Sequence, residues 1–71
     1  MMKSQRVVTH FLFRHREYVR LPEDRGRGLI VMQRVMRRPI LGDVIDYAVQ
    51  DETGEVRWEY EADLLPWDEA S

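Results

Sequence analysis

Two stretches of strict alternation, joined by a short polar loop, constrain this chain more than anything else in it. Val44-Ile45-Asp46-Tyr47-Ala48-Val49-Gln50 sets Ile45, Tyr47 and Val49 on one side and Asp46, Ala48 and Gln50 on the other. Val56-Arg57-Trp58-Glu59-Tyr60 repeats the pattern, with Val56, Trp58 and Tyr60 set against Arg57 and Glu59. Alternation with period two marks strands that bury one face and wet the other. The intervening Asp51-Glu52-Thr53-Gly54-Glu55 suits a hairpin loop in which Gly54 takes the left-handed conformation that side chains resist. On this reading Tyr47 and Trp58 point inward.

The rest of the chain fits around that hairpin. Glu17–Leu21 reads as a short strand halted by Pro22, and Glu23–Gly28 as a polar loop. Leu29–Arg37 is a strand whose two faces are both largely apolar, with a bulge near Gly28 as a source of register change. Arg38–Asp43 is a loop carrying the exposed aliphatics Ile40 and Leu41. Glu61–Leu65 is one helical turn ending at Pro66, and Trp67 adds a last short strand. Gln5–Arg14 is ambiguous. As a strand it puts Val7, Phe11 and Phe13 on one face and Val8 and Leu12 on the other. As a helix capped by Ser4 it aligns Val8, Phe11, Leu12, His15 and Val19. Its β-branched and aromatic content favours the strand. A strand with two apolar faces needs cover on both, which points to a second copy of the chain and so to a dimer.

Length and composition exclude several classes. The 71 residues make one domain, spanning 1–71, and a chain of this size buries only about 60% of its unfolded surface. Without cysteine there is neither a disulfide framework nor a thiolate metal site. No apolar run nears the roughly 20 residues of a membrane span. The basic-then-apolar start is interrupted by Thr9, His10 and Arg14 and lacks a small-residue cleavage site, so a cytoplasmic location is expected.

The net charge of -2 hides a division: residues 1–40 hold ten of the eleven basic residues and three acidic ones, residues 41–71 one basic and ten acidic. The reading favoured here is that basic strands pair with acidic ones and the charges cancel across the sheet.

Catalysis is not expected. His10 and His15 face opposite sides of a strand and lie about 140° apart around a helix, so they cannot share a metal. Glu59 and Glu61 read as a solvated face without the cleft that acid–base chemistry needs. Ser4 and Ser71, at the two ends of the chain, are poor nucleophiles. No cofactor is implied.

The run Tyr18-Val19-Arg20-Leu21-Pro22-Glu23-Asp24-Arg25-Gly26-Arg27-Gly28-Leu29-Ile30-Val31 resembles the first strand, long loop and second strand of small SH3-like barrels of the Tudor and KOW type. Tyr47-Ala48-Val49 before the turn, Glu55-Val56-Arg57-Trp58 after it, and Tyr60-Glu61-Ala62-Asp63-Leu64-Leu65-Pro66 are similar to the later strands and closing turn of that group. The resemblance is architectural. It implies an all-β, antiparallel barrel of about five strands, here with an extra N-terminal strand. It also implies binding of proline-rich or methylated peptides, nucleic acid or other subunits.

The expected function is therefore a non-catalytic binding or adaptor module acting through protein–protein contact or self-assembly. Its surface would comprise the edge segment Arg6–Arg14 with Phe11 and Phe13, the loop with Arg25 and Arg27, and the rim residues Tyr18, Arg20, Tyr60 and Trp67. Buried anchors would supply the contact and arginines its orientation. The alternative is a nucleic-acid binder in which Arg14, Arg16, Arg20, Arg25, Arg27, Arg34, Arg37 and Arg38 form a phosphate-tracking stripe with Phe11, Phe13 or Tyr18 as stacking platforms.

Overall fold

The computed structural model describes residues 10–68. It is all-β: β1 (Tyr18–Arg20), β2 (Arg27–Arg38), β3 (Gly42–Gln50), β4 (Val56–Tyr60), a 3-10 turn (Glu61–Asp63) and β5 (Leu65–Pro66). The strands form one open antiparallel sheet in the order β4-β3-β2-β1-β5, so β4 and β5 are its edges. No helix among the described residues is long and apolar enough to cross a membrane.

The loop between β3 and β4 folds as expected. Gly54 has φ +94° and donates its N–H to the Asp51 carbonyl, and the Asp51 N–H donates to the Glu55 carbonyl. The Asp51 side chain accepts from the Thr53 N–H, the Thr53 hydroxyl and the Glu55 N–H. The Thr53 bonds are the first reason its carboxyl is held below the usual aspartate value.

This loop also fixes the register, and with it the faces. Asp51 and Glu55 close the ladder, so Gln50 meets Val56, Val49 meets Arg57, Ala48 meets Trp58 and Tyr47 meets Glu59. Facing residues of an antiparallel pair project to the same side. Trp58 therefore shares a face with Ala48 and Asp46, opposite to Tyr47 and Val49. The expectation that Trp58 points inward with Tyr47 is overturned. Trp58 is exposed and Tyr47 fully buried. For the same reason Glu59 is no part of a solvated strip: it lies on the core side and binds Arg25.

A second register device sits in β2. Ile30 faces Val49 but Met32 faces Ala48, with a bulge between them. Ile30 and Met32 are two apart and would share a face of a regular strand. The extra residue turns Met32 to the far side. Ile30 is 0% and Met32 56% exposed.

The core is built on one side of the sheet from Phe13, Val19, Leu21, Ile30, Tyr47, Val49 and Leu64, with Phe11 and Ile45 packed against it. The segment before β1 covers this side, and its 10–17 portion is not a strand. The remainder of the ambiguous N-terminal segment, residues 5–9, lies outside the described residues. In residues 12–14 the backbone donors bond to side chains instead of to a neighbouring strand: Leu12 N–H to Glu61, Phe13 N–H to the Tyr47 hydroxyl, Arg14 N–H to Glu17. The Gln33 side chain donates to the Phe13 carbonyl. The rings of Phe11 and Phe13 meet Tyr47 edge-on at 6.1 and 5.5 Å.

Candidate functional site: the outer face of the sheet

The registers of all five strands assemble the far side of the sheet into rows. Leu65, Arg20 and Arg27 form one. Tyr18, Leu29, Gln50 and Val56 form the next. Met32, Ala48 and Trp58 follow, then Arg34, Asp46 and Tyr60. Tyr18, Met32, Val56, Trp58, Tyr60 and Leu65 all lie here, between 42% and 59% exposed. Single exposed apolar residues are ordinary, whereas a contiguous set on one face is the mark of a contact surface.

Arginines are laid over the aromatic rings of this face. The Arg34 guanidinium lies 3.9 Å from the Trp58 ring centroid and forms two bonds to Asp46, 3.0 Å from Nε and 2.6 Å from Nη2. Asp46 is a buried carboxylate, 3% exposed, and this fork is what compensates it. Its bond to Asp46 raises Arg34 above the ordinary arginine value. At the other end of the face Arg27 sits 4.4 Å from the Tyr18 ring and 5.8 Å from Trp67, and Arg20 lies 5.0 Å from Trp67. Held guanidinium planes over ring faces keep these side chains extended and present a flat surface of mixed character. A shallow pocket of about 180 Å³ opens beside Tyr18, between Arg27, Leu29, Gln50 and Glu52.

The residues singled out from the sequence divide between the two sides. Tyr18, Arg20, Arg27 and Trp67 come together at one end of the outer side, and Tyr60 lies on the same side at the far edge, in the row of Arg34 and Asp46. Phe13 is 4% exposed and Phe11 is half-buried against the core, so neither forms the exposed edge expected of them. The Tyr47–Glu61 pair below draws that segment inward through its backbone. Arg25 also leaves the surface set: its Nη2 lies 2.6 Å from Glu59 and its Nε donates to the Pro22 carbonyl. Arg37 pairs with Asp43 at 3.8 Å, and Arg38 lies at the exposed far end of the β2–β3 arm.

The arginines thus form no single stripe. Arg34–Asp46 and Arg37–Asp43 neutralise across β2 and β3, Arg27 reaches Glu52 at 4.0 Å, and Arg25 binds Glu59. This is the cross-strand cancellation expected from the charge division.

Met32 and Asp46 are not among the residues expected at a site, Arg34 is expected only in the phosphate-tracking stripe, and Trp58 is expected to point inward. For Trp58 the signal was available: closing the loop at Asp51 and Glu55 already places it opposite Ala48. For Met32 the bulge left none.

On the core side, the Tyr47 hydroxyl donates to Glu61 at 2.5 Å and accepts from the Phe13 N–H at 3.2 Å. Burial and the bond to Glu61 push its pKa up to about 12. A tyrosine kept neutral here is a structural bracket, since the same Glu61 oxygen also accepts from Leu12. Among the described residues no group of His, Asp and Glu could hold a metal ion. The chain matches no known family model, no curated protein and no solved structure.

Proposed function

We propose that the chain is a non-catalytic binding module of the small SH3-like barrel kind, working through protein–protein contact over the outer face of its sheet. The strand order, with a 3-10 turn between β4 and β5, supports the SH3-like reading. The observation that carries the functional one is the concentration of Tyr18, Met32, Val56, Trp58, Tyr60 and Leu65 on one face while the opposite face is packed. Protein partners are favoured over nucleic acid because two of the three arginines in these rows are already held by carboxylates, Arg34 by Asp46 and Arg27 by Glu52, while Arg20 lies over Trp67. A polyanion would have to compete with carboxylates for them.

The test is site-specific photocrosslinking in cells, with the photoreactive residue placed at Met32, in the middle of the face, or at Asp63, exposed on the 3-10 turn. Discrete protein adducts from position 32 and none from position 63 are expected. RNA adducts, or equal capture from both positions, would overturn the proposal.

A further inference from the structure

β4 is an edge strand: it pairs with β3 on one side, and among the described residues no strand pairs with it on the other. The Asp51–Glu55 closing bond fixes which of its backbone groups face that open side. Hydrogen-bonded and non-hydrogen-bonded pairs alternate along an antiparallel ladder. Counting from Asp51–Glu55, Arg57 and Glu59 exchange their bonds with Val49 and Tyr47. The N–H and C=O groups of Val56, Trp58 and Tyr60 therefore point away from β3, with no backbone partner among the described residues. Their side chains are 50%, 43% and 52% exposed.

The sequence of this strand, Val56-Arg57-Trp58-Glu59-Tyr60, is complementary to itself when reversed. We propose that two copies of the chain pair antiparallel along β4, with a two-fold axis at Trp58, joining their sheets into one. In that register Trp58 meets Trp58 of the second copy, and Val56 meets Tyr60 of the second copy. All three are residues with free backbone groups, so they form the hydrogen-bonded pairs. Arg57 meets Glu59 of the second copy, and Glu59 meets Arg57, at the two non-hydrogen-bonded positions where facing side chains come closest.

Charge selects this register over its neighbours. A slip of two residues one way sets Arg57 against Arg57 of the second copy and Glu55 against Glu59. A slip the other way sets Glu59 against Glu59. Like charges directly opposite destabilise a pair. Natural edge strands are commonly blunted by charge, but here the two charges are of opposite sign and placed for mutual attraction. Arg57 pairs with its neighbour Glu55, 3.4 Å away and itself exposed. Glu59 binds Arg25 through Oε2, which leaves Oε1 to accept from a second guanidinium. The pairing also sets the two outer faces side by side, so Met32-Ala48-Trp58 runs on into Trp58-Ala48-Met32 of the other copy. The inference deepens the binding-module reading by naming one partner, the chain itself, and the edge it uses.

The full-length chain is examined by light scattering across about a hundredfold range of concentration, enough to carry a micromolar dimer from mostly free to mostly paired. Wild type is expected to reach the mass of two chains. Arg57→Glu should weaken association at least about tenfold by setting like charges opposite. An equimolar mixture of Arg57→Glu and Glu59→Lys should regain the two-chain mass that each variant alone has lost.

Because Glu59→Lys also gives up the bond to Arg25, amide hydrogen exchange on the wild type supplies a readout free of variants. The Val56, Trp58 and Tyr60 amides should gain protection with concentration, while those of Arg57 and Glu59 stay protected throughout. A single-chain mass at every concentration would overturn the pairing. So would a dimer in which the Trp58 amide stays unprotected, or one that Arg57→Glu leaves intact. Should the chain be monomeric yet crosslink to another protein from Met32, the pairing falls and the binding module stands. Should it dimerise through β4 while Met32 captures nothing, the reverse holds.

Discussion

The two sides of this sheet are built from the same strands and solve opposite problems. The inner side buries Val19, Ile30, Tyr47 and Val49 almost completely, and every buried side-chain polar atom in the described residues has a partner. The outer side keeps as much aromatic character but leaves it wet, covering ring faces with guanidiniums instead of with other apolar groups. The contrast separates what holds the chain folded from what is available for contact. It also makes opposite demands on substitution: the inner face should be sensitive to a lost methylene, whereas the exposed apolar side chains of the outer face, unlike Arg34 and the buried Asp46 it holds, should matter little to stability and chiefly to binding.

The sharpest break in that contrast is at Ile30. Truncation to Ala at a fully buried site loses transfer free energy and leaves a cavity, together about 2–5 kcal/mol. A chain of this size has only about 3–5 kcal/mol to lose, so Ile30→Ala should unfold a large part of the chain at ambient temperature. Urea titration followed by circular dichroism measures this. A loss under about 1 kcal/mol would mean that the inner face is not the core.

Gly28 tests how tightly the same face is closed. A Cβ built there would stand 2.3 Å from Val49 Cγ1 and 3.2 Å from Leu21 Cγ and Cδ1. Both neighbours are buried core residues, so neither can swing into solvent. Gly28→Ala should cost about 1–3 kcal/mol through overpacking, read as a lowered denaturation midpoint with unchanged slope.

How much of this was legible in the sequence follows from where the information resides. Alternation in 44–50 and 56–60 is local, and it yielded the hairpin, its Gly54 loop and the all-β class. The pairing of Arg34 with Asp46 was foreshadowed only as a general balance of charge between the two halves. The assignment of faces depends on register, which is a relation between strands. A one-residue change in it moves every side chain to the other side. The bulge in β2 has no residue signature in Ile30-Val31-Met32, and both sides of that strand are apolar, so nothing local distinguished them. Phe11 and Phe13 present the same difficulty: their burial is set by Tyr47 and Glu61, far along the chain.

Tyr47 sharpens the comparison from the polar side. Tyr47→Phe keeps the ring and its contacts with Phe11 and Phe13, but takes away the partner of the buried Phe13 N–H. A buried donor left unsatisfied costs about 1–3 kcal/mol. The wild-type hydroxyl also gives stability a pH dependence. Its pKa rises from 10.0 to about 12 on folding, so the folded state favours the protonated form. The contribution is whole below 10.0, where both states hold the proton, and declines as pH climbs from there toward about 12, because only the unfolded chain ionises readily. Melting curves recorded through that window should fall more steeply for wild type than for Tyr47→Phe. Parallel curves would remove the hydroxyl from the account.

The smallest effect is expected at Met32, two residues from Ile30 and across the sheet from it. Its side chain is 56% exposed and rests over Ala48 in the row that ends at Trp58. Met32→Ser removes little buried area and leaves no cavity, so its cost should stay within about 0.5 kcal/mol. If the outer face is a contact surface, the same change should weaken binding well beyond its effect on folding, since an apolar anchor at the centre of an interface contributes by leaving water. Ile30→Ala and Met32→Ser form a matched pair on one strand, one read by denaturation and the other by association. Equal destabilisation from the two would show that the bulge does not separate the faces, and the distinction between core and contact surface would fail with it.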